Sequence, residues 1–125
     1  MCALLLSAGA AIADPVVVPS GQAITFVDVI TDTPGPAGET WRYRFLAPSI
    51  ARDTGVVSGA ALIADIDAIC SGFVVPDLVR SDARPDQVII SLADRPVEFG
   101  VANPDATQVF EAYRIDGQTC LWEGF

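Results

Sequence analysis

A chain of 125 residues has room for one domain. Its net charge of −9 disfavours nucleic acid, whose affinity comes largely from Lys and Arg neutralising phosphate, and equally disfavours adsorption to anionic headgroups. All seven basic residues are Arg, and there is no His and no Lys, so imidazole acid–base chemistry, His-activated nucleophiles and lysine Schiff bases are excluded.

Residues 3–13, Ala-Leu-Leu-Leu-Ser-Ala-Gly-Ala-Ala-Ile-Ala, carry no charge. The run is too short for a membrane span, which needs roughly 20 apolar residues. It has the length of a signal-peptide core, and Ala11-Ile12-Ala13 places small residues at the cleavage positions before Asp14-Pro15. Residues 1–13 are read as a signal peptide cleaved near Ala13, and 14–125 as one soluble periplasmic domain. No Lys or Arg precedes the run, which a start codon assigned too far downstream would explain. Cys2 precedes the run, whereas a lipoprotein cysteine would follow it. The alternative is an apolar first element of the domain itself.

Val16–Val18 is a short apolar lead-in. Residues 23–31 are rich in β-branched and aromatic types and predict a strand. Thr33-Pro34-Gly35-Pro36-Ala37-Gly38 must turn, because proline fixes φ and lacks a donor. Trp41-Arg42-Tyr43-Arg44-Phe45 alternates strictly, with three aromatics on one face and two arginines on the other. Trp41 and Trp122 are read as core, whereas exposure of either would mark a binding patch. Ser58 is a candidate N-cap, and Leu62, Ile63, Ile66, Ile69, Cys70 and Phe73 form one helical stripe. Asp65 and Asp67 are expected on the solvent side, Gly72 is expected to end the helix, and residues 75–86 are read as a surface connection.

Residues 87–92 form a nearly continuous apolar run, as expected of a central strand covered on both faces. Val97-Glu98-Phe99 is read as a short further strand, and Asn103-Pro104-Asp105 as a helix start or a turn. Asp116-Gly117 is a preferred two-residue hairpin loop between 109–115 and 118–124. That loop sets Tyr113 opposite Cys120, on a face that can pack against the helix stripe carrying Cys70. A Cys70–Cys120 bridge is therefore expected in a thiol-oxidising compartment, the alternatives being buried free thiols or intermolecular pairing. The predicted fold is α+β: one helix packed on a mainly antiparallel sheet of about five strands, order β-β-α-β-(β)-β-β, with one disulfide.

Asp94 and Glu98, with Asp28, Asp32, Glu111 or Glu123, could supply a hydrolytic carboxylate pair if two of them converge. The ordinary reading of these acids is a solvated surface. Asp65/Asp67 and Asp28/Asp32 do not have the spacing of a calcium loop. Arg42 and Arg44 could read an anion together or be satisfied by acids on neighbouring strands.

Gly35-Pro36-Ala37-Gly38, Arg44 to Pro48, Ile89 to Gly100, Asp105 to Gln108, Phe110 to Arg114 and Cys120-Leu121-Trp122-Glu123-Gly124-Phe125 resemble a family of small exported alphaproteobacterial proteins of unknown function. The resemblance implies a periplasmic home and the cysteine pair, and brings no activity, substrate or cofactor. The functional expectation is a non-enzymatic domain binding a protein or envelope component, with no metal and no cofactor, through a patch of Asp94, Arg95, Glu98, Trp122 and Glu123. A small carboxylate-dependent hydrolase, or an inhibitor of secreted enzymes presenting residues 33–39, are the competing readings. Oligomeric state is left open.

Overall fold

The computed structural model describes residues 16–124. The expected signal peptide, its cleavage site, Cys2 and Phe125 lie outside the described residues. Strands β1 (Thr25–Ile30), β2 (Thr40–Leu46), β3 (Gln87–Ala93), β4 (Gln108–Asp116) and β5 (Thr119–Glu123) form one sheet in chain order. All neighbours are antiparallel except β2 and β3, which run parallel. A parallel pair needs a long crossover, and here the helical segment between residues 59 and 81 supplies it. The expected α+β class, helix on sheet and central β3 are all present.

The helix is longer than expected. It runs as α1 (Gly59–Ile69), a π turn (Cys70–Val74) and α2 (Val75–Ser81) without leaving helical backbone. Gly72 does not end it, and residues 75–81 are helix instead of a surface connection. The π turn is the physical reason. Its extra residue lets the Val75 N–H reach the Cys70 carbonyl, and Pro76 then falls in the first turn of α2, where a missing donor does no harm. The stop comes at Asp82, which takes the left-handed conformation (φ 50°), while the Ala83 N–H bonds back to the Leu78 carbonyl. Ser58 occupies the N-cap position, but its hydroxyl makes no capping bond.

Tyr43, Phe45, Val88, Ile90, Leu92 and Tyr113 meet Ile66, Ile69, Cys70, Val74 and Leu78 in the core. Phe73 sits against Phe26 and Phe45, with ring centroids 4.9 and 5.3 Å away. Two polar pins reinforce this packing. The Tyr43 hydroxyl donates to Asp77 of α2 (2.7 Å), and the Tyr113 hydroxyl donates to Asp67 of α1 (2.6 Å).

Asp65 is not on the solvent side. It is fully buried and accepts from the Ser20 N–H (2.9 Å), the Ser20 hydroxyl (2.5 Å) and the Gln22 side-chain amide (2.7 Å). It therefore anchors the N-terminal lead-in to α1. Asp67 is exposed as expected, apart from its bond to Tyr113.

The Cys70–Cys120 disulfide is formed, with a Cα–Cα distance of 6.4 Å. The hairpin that delivers Cys120 turns at Gly117-Gln118 instead of Asp116-Gly117. Gly117 alone carries a positive φ (64°), as a glycine-first loop requires. Ile115 therefore faces Cys120, and Tyr113 faces Trp122. The pairing moves by two residues, which preserves the face of every side chain. That is why the bridge forms despite the altered register.

Candidate functional site

The sheet's second face is where the sequence pattern leaves material unpacked. Strand alternation that sends Tyr43 and Phe45 to the helix sends Arg42 and Arg44 the other way. By the same rule, β3 places Ile89 and Ser91 there, and β4 places Phe110. In β1 a bulge between Phe26 and Asp28 resets the register, so that Asp28 pairs with Arg44 while Phe26 still pairs with Phe45. Without the extra residue, Asp28 would fall opposite Tyr43, toward the core. The bulge thus puts both Val27 and Asp28 on the second face.

Residues 94–107 leave β3 and arch over this face before β4 begins. No strand forms at 97–99. The chain instead makes a turn, with the Val101 N–H bonded to the Glu98 carbonyl (3.2 Å) and Gly100 at φ 79°. The base of the arch is closed in both directions: the Asp94 N–H donates to the Thr107 carbonyl (3.0 Å), and the Thr107 N–H donates to the Asp94 carboxylate (2.9 Å). Arg52 adds a bond to the Ala106 carbonyl (2.8 Å). Residues 103–106 make a turn, with no helix. At the tip, Arg44 donates to the Val97 carbonyl (3.1 Å), and the Phe99 ring lies 5.8 and 6.0 Å from the Arg42 and Arg44 guanidinium carbons.

Between arch and sheet lies an open cavity of about 750 Å³. Its walls are mainly apolar, with Val27, Ile89, Val97, Phe99, Val101 and Phe110 prominent. Four of these, Val27, Phe99, Val101 and Phe110, stay 42–53% exposed, so the groove presents apolar surface to solvent. Soluble chains usually keep such patches small unless something binds them. The volume falls within the usual range of small-molecule sites.

The two groove-floor arginines differ. Arg44 forms a fork with Asp28, Nε to Oδ1 at 2.7 Å and Nη2 to Oδ2 at 2.8 Å. The Arg44 hydrogen bond holds the Asp28 carboxyl below its ordinary value, and Asp28 in turn raises Arg44. Arg42 sits between Ile30 on β1 and Ile89 on β3. It has no carboxylate within ion-pair reach among the described residues, and it donates to the Thr33 carbonyl. The two arginines therefore do not act as one anion-reading pair: one is neutralised, the other is not.

The expected patch of Asp94, Arg95, Glu98, Trp122 and Glu123 is divided. Arg95 and Glu98 line the groove. Asp94 is nearly buried and works as the clamp of the arch and the partner of Arg95 (3.1 Å), whose hydrogen bond keeps the Asp94 carboxyl low. Glu123 faces the groove side but stands on β5, bonded to Gln87 (3.3 Å). Trp122 is not core: it is 63% exposed, on the helix side of the sheet, bonded to Glu111. Trp41 is half-buried and donates to Glu39 (3.0 Å).

Of the acids considered for hydrolysis, only Glu98 lines the cavity. Among the described residues, no three acidic or sulfur side chains cluster to hold a cation, and no helix is long and apolar enough to cross a membrane. Residues 33–39 form an exposed turn bridged at Gly35–Gly38, with Asp86 bonded to the Glu39 N–H (2.8 Å).

Sequence reasoning missed the groove itself. Its signals were apolar Ile89 and Phe110 on a face they share with Arg42, Arg44, Ser91 and Gln108, and the length of the 94–107 connection, which is long for a simple loop. A family of unknown function, DUF6497, matches residues 2–125. The chain belongs to this family. No curated protein and no solved structure matches it. For this DUF6497 chain, then, the groove is the main functional evidence.

Proposed function

We propose that this chain is a non-enzymatic binding domain of the periplasm that takes a protein or envelope component in the groove beneath the 94–107 arch. The single observation that carries the reading is the 750 Å³ cavity with exposed apolar walls on the face opposite the helix. A carboxylate-dependent hydrolase needs two acids about 5 to 10 Å apart, and the lining offers Glu98 alone. Asp28 and Asp94, which bond to the lining residues Arg44 and Arg95, are held ionised by them, so neither suits a general acid, which needs a raised pKa. Export is supported by the apolar leader at residues 3–13 and by a disulfide of the kind that persists where thiols are oxidised.

Ser91 lies on the groove floor, half-buried. Ser91→Trp should set an indole across the middle of the groove floor and obstruct it while leaving the strand intact, since Trp is a good strand former. Mature protein carrying Ser91→Trp should lose capture of envelope material that the native chain retains. Val79→Ala, an exposed position on α2 away from the groove, should keep it. Equal capture by Ser91→Trp and native protein, at equal thermal stability, would refute the groove as the binding site.

A further inference from the structure

The chemistry of the groove narrows its occupant, and this step rests on the groove being the binding site. Its floor is the middle of the sheet: β2, β3 and β4 are each paired on both sides. A peptide laid there would find no strand edge to bond with and would bury unpaired backbone groups, each costly to desolvate. An alkyl chain carries no such groups. The floor also extends along the strands. Successive same-face rows Leu46–Ala93–Gln108, Arg44–Ser91–Phe110 and Arg42–Ile89–Ala112 follow from the register, and two row spacings make roughly 13 Å at about 3.3 Å per residue.

Charge is distributed unevenly along that length. Arg44 is neutralised by Asp28 at its side, and Arg95 on the rim by Asp94. Glu98, exposed on the arch, is the one acid in the lining. Arg42, at the Ile89 end, is a guanidinium whose cross-strand neighbours are both isoleucines. One of its five donors is engaged by Thr33, which leaves the fork with donors to offer. A guanidinium matches a carboxylate with two parallel bonds and rests comfortably beside an aromatic ring, here Phe99. We infer that the groove holds a single-chain amphiphile, with the apolar chain along the Val27–Phe99–Phe110 walls and its carboxylate on Arg42. The overall charge of −9 opposes adsorption to an anionic membrane surface. It acts weakly on one sheltered head group, because repulsion from distant acids is screened beyond about 8 to 10 Å.

The test is calorimetric titration of the mature protein with decanoate, decanol and decyltrimethylammonium. Native protein should bind decanoate roughly 10- to 100-fold more tightly than decanol, the range expected of one charge-assisted pair, and bind the cation most weakly. Arg42→Gln should bring decanoate down to the level of decanol without altering decanol. Arg42→Lys, which keeps the charge and loses the fork, should retain part of the preference and guards against a folding defect in the first variant. Ser91→Trp should abolish all three interactions. Decanoate binding no better than decanol on native protein, or a preference that survives Arg42→Gln, overturns the inference. Should none of the three bind while Ser91→Trp still loses envelope capture, the amphiphile fails and the groove stands. Unchanged decanoate binding by Ser91→Trp overturns both.

Discussion

Asp65 sits at the edge of the helix stripe, one step from Leu62 and Ile69, and the fold uses it as a buried acceptor. Three donors from Ser20 and Gln22 satisfy it, so its burial depends on the lead-in segment arriving in register. Removing the carboxylate leaves the buried Gln22 amide without its partner and releases the lead-in at Ser20, and an unpaired buried donor usually costs more than the bond contributed. Asp65→Ala should therefore lower unfolding stability by about 3 kcal/mol, measured by urea denaturation. The exposed Asp67→Ala, one pin lost, should cost about 1 kcal/mol. Nothing in the linear sequence separates these two aspartates: they lie two apart on one helix, and only the approach of residues 18–22 decides which is buried.

At the scale of elements, β5 is, like β1, an edge strand with a single neighbour, here β4. The disulfide ties that edge to the π turn of the helix, across a separation of 50 residues. Chain-entropy arithmetic for such a loop gives about 4 kcal/mol. The Cys70→Ala/Cys120→Ala double variant should lose up to about that amount in denaturant unfolding. Intact-mass analysis of native protein should find neither cysteine open to alkylation before reduction. Alkylatable thiols at both positions would contradict the bridge. The element-level reading was also where expectation and structure parted most. Gly72 is expected to end the helix and residues 75–86 to be a surface connection, yet Gly72 lies in open space without a positive φ, and the π turn places Pro76 where a helix tolerates it. A one-residue widening of a helix has no sequence signature comparable to the apolar stripe it interrupts.

For the molecule as a whole, the docking of the helix on the sheet depends on both of its tyrosines. Burial is the main cause that raises each hydroxyl pKa well above its ordinary value, and the carboxylates of Asp77 and Asp67 raise Tyr43 and Tyr113 further. In both cases the folded state holds the proton more tightly than the unfolded chain. The stability this contributes is complete below about pH 10 and is lost as pH rises through and beyond that value. Since the chain has only these two tyrosines, tyrosinate absorbance should not appear as a separate step. It should rise together with the loss of far-ultraviolet circular dichroism. Tyrosinate forming while the dichroism stays native would show that the pins are open.

What the residues determined by themselves was periodicity and parity. The alternation of Trp41 to Phe45, the stripe from Leu62 to Phe73 and the glycine-containing turn after Ile115 specify which faces are apolar. Parity survives a two-residue change of register, so the Cys70–Cys120 contact was legible. The groove was not legible, because it depends on how four strands and the 94–107 arch come together. A bulge at Val27 aims Asp28 at Arg44, the strand order leaves Arg42 between two isoleucines, and the Asp94–Thr107 clamp suspends Phe99 over both arginines. Each of these is a relation between segments far apart in the chain, and pairwise distances in space are fixed only once the whole sheet has closed around its core.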